Sequence, residues 1–170
     1  MKSSIAIAQP MFKKENLTFR PAVAEDRSLI FEWRNYPEIV ALSASKLPVT
    51  WEEHLVWFSN FLADSERMLL IIQNDSRPIG QARFDKVAND TLIMGIYLIP
   101  SMVGQGRGKR LIESACSYAK AKWINLNYIK AEIRKENIRS RRAFASAGFK
   151  LELTDFQCKS KEIDCMIYEC

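Results

Sequence analysis

Glycine occupies every second position of Gly104-Gln105-Gly106-Arg107-Gly108, between the apolar run Gly95–Ile99 and an amphipathic stretch that opens at Gly108. A strand that runs through such a loop into a helix restricts the fold to an architecture in which sheet and helices alternate. It also restricts the chemistry. Glycines at 104, 106 and 108 leave the backbone free to adopt positive φ and to meet a ligand closely. The N–H groups of the loop and of the first helical turn converge on one concavity, where the helix dipole adds partial positive charge. That arrangement suits a phosphate or pyrophosphate. The Walker spacing is absent, because Lys109-Arg110 follows Gly108 out of register. The loop also lies past the middle of the chain, which disfavours the dinucleotide fold with its early glycine turn and later acidic ribose ligand.

Composition narrows the setting. A chain of 170 residues with 48% hydrophobic and 26% charged residues can bury a core as a single domain. Residues 17–170 are read as that domain, and residues 1–16 as a tail that could carry a small edge strand at Ile5–Ala8. A net charge of +5 favours anionic ligands. No apolar run approaches the ~20 residues that span a bilayer, and Ile5–Ala8 is too short for a secretory signal. A cytoplasmic protein away from membranes is therefore expected. Cys116, Cys158, Cys165 and Cys170 have no C-x-x-C spacing and there is a single histidine. No metal site is expected, and the thiols are expected to be reduced.

Along the chain, Leu17–Pro21 reads as a strand and Ala24–Asn35 as a helix with a Leu29, Ile30 and Trp33 stripe, broken at Asn35-Tyr36-Pro37. A short helical turn covers Glu38–Leu42. Thr50-Trp51-Glu52-Glu53 is a capping box, and its helix places Trp51, His54, Leu55, Phe58 and Leu62 on one face. Arg67–Gln73 and Pro78–Val87 form a hairpin around Asn74–Arg77, and Thr91–Ile99 follows as a third antiparallel strand. The helix Gly108–Trp123, the alternating strand Asn127–Arg134, a helix capped by Asn137 and ended by Gly148, and a hairpin of Phe149–Gln157 with Lys161–Glu169 complete the order. The pattern is an α/β (α+β) domain with a mixed, mostly antiparallel sheet of about seven strands.

That order, with the glycine loop after the fourth strand, resembles the GNAT superfamily of acetyl-CoA-dependent N-acetyltransferases. Its pyrophosphate loop, Q/R-x-x-G-x-G/A, is matched by Val103–Gly108 at both glycines, with Val103 where Gln or Arg is usual. A second signature is met by Asn137, Ser140, Phe144 and Gly148-Phe149. The resemblance implies a sheet splayed between strands 4 and 5 and flanked by four helices. It implies acetyl-CoA as co-substrate, held by Leu98, Ile99, Val103, Gly104, Gln105, Gly106, Arg107, Gly108, Lys109, Asn137, Ser140 and Phe144.

Phe31–Asn35, Trp51–Phe58 and Pro78–Asp85 are similar to one GNAT subgroup, the sugar-nucleotide acetyltransferases of the pseudaminic acid pathway. The similarity implies acetyl transfer to the amine of a UDP-linked amino-dideoxy sugar by direct attack. Acetylation of a protein N-terminus, or coenzyme A binding without turnover, are the alternatives. Glu132 is then a general base or else a surface salt-bridge partner, and the Leu98 N–H stabilises the oxyanion. Arg34 is a diphosphate clamp or a helix-end arginine. His54 contacts the nucleotide or is a hydrogen-bonded structural histidine. Tyr97 enters the cleft or is a half-buried strand aromatic, and Asp85 and Lys86 meet the base or sugar or form a surface turn. Phe144 stands where many members carry a tyrosine acid, and a phenyl ring donates no proton. The basic cluster Lys130, Arg134, Lys135, Arg139, Arg141 and Arg142 has no interleaved exposed aromatics, so nucleic acid is not expected as a partner. A homodimer is left open.

Overall fold

The computed structural model describes residues 16–43, 45–152 and 160–170. Its seven strands are β1 (Leu17–Pro21), β2 (Arg67–Asn74), β3 (Arg77–Ala88), β4 (Thr91–Leu98), β5 (Tyr128–Arg134), β6 (Lys150–Leu151) and β7 (Ile163–Glu169). Its helices are α1 (Arg27–Arg34), α2 (Pro37–Leu42), α3 (Trp51–Ala63), α4 (Gly108–Lys122) and α5 (Ile138–Ser146). The strands form one sheet in the order β1-β2-β3-β4-β5-β7-β6. Five helices stand where four are expected, because Pro37 at the first helical position closes the 37–42 turn into a helix of its own. The expected edge strand at 5–8 lies outside the described residues, as does the turn of the last hairpin.

Local chemistry accounts for the elements. Thr50 and Glu53 form the reciprocal cap of α3: Thr50 Oγ1 accepts from the Glu53 N–H at 3.2 Å and Glu53 Oε2 accepts from the Thr50 N–H at 2.8 Å. Asp75 and Ser76 turn the β2–β3 hairpin with φ of 47° and 67°, the paired positive values of a two-residue hairpin loop. β2 is apolar through Met68–Ile72 because both faces of the sheet are covered. Leu70 and Ile72 join Leu92, Met94, Ile129, Ala131 and Phe144 under α4 and α5. Leu69 and Ile71 join Ile30, Trp33, Phe58 and Phe61 under α1 and α3. The buried stripe of α3 is His54, Phe58 and Phe61, so Phe61 rather than Leu62 faces inward.

One irregularity organises the sheet. β4 and β5 are parallel neighbours, but they pair only from Thr91↔Tyr128 to Met94↔Ala131. Beyond that point β4 stays paired with β3 as far as Leu98↔Gly80, and β5 with β7 as far as Arg134↔Ile163. The two strands diverge because each keeps its outer partner. The splay implied by the family resemblance is thus present between strands 4 and 5.

α4 and α5 close the same end through a glycine contact. A Cβ at Gly108 would lie 2.8 Å from the Ala143 Cβ. Gly108→Val should therefore destabilise the protein by about 1–3 kcal/mol through overpacking, and adding Ala143→Gly should recover part of the loss. Urea denaturation of the two variants and the double variant measures the coupling.

Candidate active site

The wedge between β4 and β5 exposes backbone groups that the ladder cannot use. The Ile99 N–H donates to the Ile79 carbonyl at 2.9 Å, and the Asp90 carbonyl accepts from the Tyr128 N–H at 2.9 Å. By alternation, odd-numbered residues of β4 turn their backbone groups toward β3 and even-numbered ones toward β5. Ile96 and Leu98 lie past the last β4–β5 pair, so their N–H and C=O groups point into the wedge. The same counting applies to β5. The Lys135 N–H donates to Glu162 and the Cys170 N–H to Asn127, both at 2.9 Å, so Glu132 turns its backbone toward β4. Backbone groups of Ile96 and Leu98 that the ladder does not use are open to other partners.

At the α4 end of the wedge lies the glycine loop. Gly104 and Gly106 have φ of 84° and 73°. A Cβ at either would meet nothing within 4 Å, so both are required by conformation and both face open space. The first-turn N–H groups of α4 have no intrahelical acceptors. Open space, two left-handed glycines and a helix N-terminus together fit an anionic group such as a pyrophosphate. The side chains nearby hold the loop rather than reach from it. The buried Arg107 donates from Nη1 to the Met102 carbonyl at 3.3 Å, and Gln105 Nε2 donates to the Ser101 carbonyl at 3.1 Å. The Val103 N–H donates to Pro100, Lys109 pairs with Glu113, and the Ile99 side chain packs in the α1–α3 core.

Asn137 and Ser140 serve α5. Asn137 Oδ1 caps the helix by accepting the Ser140 N–H at 3.1 Å. Phe144 is 3% exposed and meets Phe149 edge to face with centroids 4.9 Å apart, so it is a core residue.

The opposite, α1–α3 face of β4 carries Ile93, Gly95 and Tyr97 in succession toward the loop. Tyr97 sits opposite Gln81, and Gly95 opposite Arg83. Arg83 lies across Gly95, where a Cβ would find its Nε at 3.2 Å. Arg34, at the C-terminus of α1, reaches the same place: the charges of Arg34 and Arg83 are both felt at Tyr97, and those of Tyr97 and Arg83 at Arg34. Burial raises the Tyr97 phenol far above its ordinary range, against the pull of the two guanidinium groups. Burial lowers the Arg34 pKa, Tyr97 opposes that and Arg83 adds to it. Glu132 projects from β5 on this face into a cleft of about 340 Å³ that Thr91, Ile93, Lys130, Glu152 and Cys165 also line. Lys130 and Glu152 form an ion pair at 3.1 Å along its wall.

Tyr97, Arg34 and Glu132 are therefore brought to one face, Asp85 lies further along the same face beside Arg83, and His54 and Lys86 are elsewhere. His54 is 3% exposed, and its Nε2 donates to the Arg27 carbonyl at 2.8 Å. The rings of Phe31, Trp51, Trp57 and Phe58 surround it, so it joins α1 to α3. Asp85 pairs with Arg67 at 3.2 Å and Lys86 with Glu66 at 2.7 Å. They lie four and five residues along β3 from Gln81, roughly 15 Å from the Tyr97 position. Arg83 and Gln81 also stand on this face, and the sequence did not single them out. The available signal was Gly95, since an isolated glycine inside a strand marks a close approach. The basic cluster is largely neutralised in place, with Arg134 on Glu162 and Arg141 on Asp164. Cys116 and Cys170 are free, whereas Cys165 is disulfide-bonded, so the expectation of reduced thiols fails there. Spacing along the chain is a poor guide to which sulfurs meet in space. Among the described residues no cluster is placed to hold a metal ion, and no helix is long and apolar enough to cross a membrane.

A diverging β4–β5 pair with a glycine loop at its open end defines an acyl-transfer architecture, and the family assignment agrees. Residues 16–150 match the model of the acetyltransferase (GNAT) domain, and the chain belongs to that family. Acetyltransferase PseH of Campylobacter jejuni is 27% identical over 139 residues, covering 82% of this chain and 85% of that protein. The crystal structure of C. jejuni N-acetyltransferase PseH in complex with acetyl coenzyme A superposes with a TM-score of 0.67 at 20% identity, covering 91% of this chain and 99% of that one. Spermidine N-acetyltransferase from Vibrio cholerae, solved with CoA and spermine, gives 0.76 at 18% identity over 90% and 95% of the two chains. At these identities the structural likenesses speak to the fold alone.

Two expected outcomes follow from this geometry. Burial lowers the His54 pKa, partly offset by its bond to the Arg27 carbonyl. The unfolded chain then takes up a proton first as pH falls, so the stabilising contribution is complete above ~6.5 and is lost on descending through the lower folded value. Chemical denaturation should show stability declining below about pH 6.5, and His54→Phe should flatten that decline. Gly106→Val places a β-branched residue at positive φ, a strain of about 1–2 kcal/mol that moves the loop. Coenzyme A affinity, measured by calorimetry, should fall roughly tenfold or more.

Proposed function

We propose that the protein transfers an acetyl group from acetyl-CoA to the amine of a nucleotide-linked amino-dideoxy sugar. The observation that supports this reading is that Glu132 and Tyr97 share one face of a wedge whose other end is the glycine loop. Similarity to PseH, which is solved with acetyl coenzyme A, supports the choice of co-substrate. The similarity of Phe31–Asn35, Trp51–Phe58 and Pro78–Asp85 to the pseudaminic acid subgroup supports the sugar.

Acetyl-CoA, when bound, supplies the acetyl group as a thioester. The N–H groups of Gly104–Arg110 would hold its pyrophosphate, and the free backbone groups of Ile96 and Leu98 its amide arm, as a neighbouring strand would. The Leu98 N–H would stabilise the charge that develops on the carbonyl oxygen. Arg34 and Tyr97 orient the anionic acceptor, because charge-assisted bonds to phosphate are both strong and directional. Glu132, directly or through a water, takes the proton that an ammonium must lose before its nitrogen can attack. Position 144 contributes no proton donor, since Phe144 has no hydroxyl and lies in the core. The sulfur leaves readily as thiolate, with an ordinary pKa near ~8.5.

The test is turnover with nucleotide-linked amino sugars. Glu132→Gln keeps the shape but cannot accept a proton. The rate near neutral pH should fall by roughly 10²–10⁴-fold and recover partly as pH approaches the amine's own pKa, with coenzyme affinity unchanged. A wild-type enzyme that ignores every nucleotide sugar and acetylates a peptide N-terminus would overturn the acceptor assignment.

A further inference from the structure

Arg34 has no ion-pair partner among the described residues. Its Nη1 is buried without a hydrogen bond, and its Nη2 reaches only the Leu47 carbonyl, at 3.4 Å. Arg34 is half-buried, and a buried guanidinium nitrogen in that condition is costly unless something anionic meets it. Two more polar atoms beside it are also buried without a protein partner, the Tyr97 hydroxyl and Gln81 Oε1. Tyr97 and Gln81 are register partners on neighbouring strands. Buried polar atoms that lack partners are rare in folded proteins, and three on one face point to a ligand.

A second cation converges on the same place. Arg83 crosses the bare backbone of Gly95 and raises the positive field at Arg34. The carboxylate nearest to it, Asp85, is 3.9 Å from Nε and is also engaged by Arg67 at 3.2 Å. The charge of Arg83 is felt at Arg34 even with Asp85 beside it, and a ligand carrying two linked negative charges removes that repulsion. Arg34 arrives from the helix layer and Arg83 from the strand beside Tyr97, so the charges they read are adjacent rather than coincident. Tyr97 donates between them, while Gln81 Oε1 can only accept, which asks the ligand for a hydroxyl or N–H next to its anionic part.

We propose that Arg83 and Arg34 form a two-armed clamp around Tyr97 that reads a diphosphate, with Gln81 accepting from a neighbouring hydroxyl. The clamp makes Arg83 a specificity residue of the acceptor site: it selects nucleoside diphosphate carriers over monophosphates. This rests on the nucleotide-sugar reading above and adds to it a residue and a rule.

The experiment is calorimetric titration of the full chain, saturated with coenzyme A so that the glycine loop is occupied. The titrants are the 5′-mono- and 5′-diphosphates of uridine, cytidine, guanosine and thymidine. The wild type should bind the preferred diphosphate roughly tenfold or more tightly than its monophosphate, the worth of one charge-assisted contact. In Arg83→Gln that ratio should shrink to about threefold or less, with coenzyme affinity and melting temperature unchanged, as suits a half-exposed side chain. Arg83→Lys keeps the charge without the planar fork and should fall between. It also provides the comparison if the glutamine variant does not fold. A wild-type enzyme without preference for diphosphates, or Arg83 variants that keep the wild-type ratio, would overturn the clamp. If the wild type acetylates a nucleotide sugar while Arg83→Gln retains its KM, the clamp falls and the function stands. If no nucleotide binds to a protein that still takes up coenzyme A, both fall.

Discussion

Parallel strands that stop bonding while still side by side open a wedge between their backbones, and β4 and β5 do this after Met94 and Ala131. What holds them apart is pairing on their outer edges. β4 is tied to β3 through Leu98, and β5 to β7 through Arg134, so neither can bend back to the other. Arg134 reinforces the divergence by donating from Nε to the Ser43 carbonyl at 3.0 Å, which fixes the loop after α2 against the far end of β5. The wedge costs sheet hydrogen bonds and returns a slot in which a peptide-like arm can be bound as a strand would be. The proposed functional groups are arranged around that slot: the glycine loop at its end, Leu98 along one wall and Glu132 along the other.

The two faces of the sheet do different jobs. Beneath α4 and α5 the side chains are apolar and tightly packed, and the loop they carry presents backbone rather than side chains. Beneath α1 and α3 the packing is aromatic as far as Trp33 and Phe58, then gives way to Arg34, Gln81, Arg83 and Tyr97. The position of Arg34 depends on how α1 is seated, and α1 is seated by His54. That imidazole ties α3 to the Arg27 carbonyl within a shell of four aromatic rings. Asn35 adds a second tie, bonding both backbone groups of Val49 at 3.0 and 2.8 Å. A buried histidine thereby helps to seat the helix that carries Arg34.

Features encoded by neighbouring residues were legible in the sequence. The α3 capping box, the β2–β3 hairpin, the alternation of β5, the Asn137 cap and the glycine loop all form where their local chemistry says they should. Features that depend on register were not. Gly95 in a strand signalled a close approach, but only the β3–β4 register brings Arg83 across it. Asp85 and Lys86 resemble binding residues in sequence, yet the same register sets them four and five residues along β3 from Gln81, in ion pairs with Arg67 and Glu66. His54 illustrates a third limit. Its position on the apolar face of α3 was plain, whereas the carbonyl that satisfies its buried nitrogen belongs to another helix. The insertion of β7 between β5 and β6 is likewise a matter of long-range pairing.

This split between backbone and side-chain recognition explains how the chain can depart from a family motif and keep its chemistry. Val103 replaces the usual Gln or Arg at the head of the loop, yet the groups that face an anion there are N–H groups, which every residue but proline supplies. What the loop cannot lose is conformation, hence glycine at 104 and 106, where φ is positive. The acceptor face is built on the opposite principle. Its donors and acceptors are side chains drawn from α1, β3, β4 and β5, each placed by separate packing, so one substitution changes what is recognised without disturbing the wedge. A single scaffold can therefore keep one acyl donor and change acceptors. On the donor side substitution is limited by backbone geometry, and on the acceptor side by charge and hydrogen-bond count.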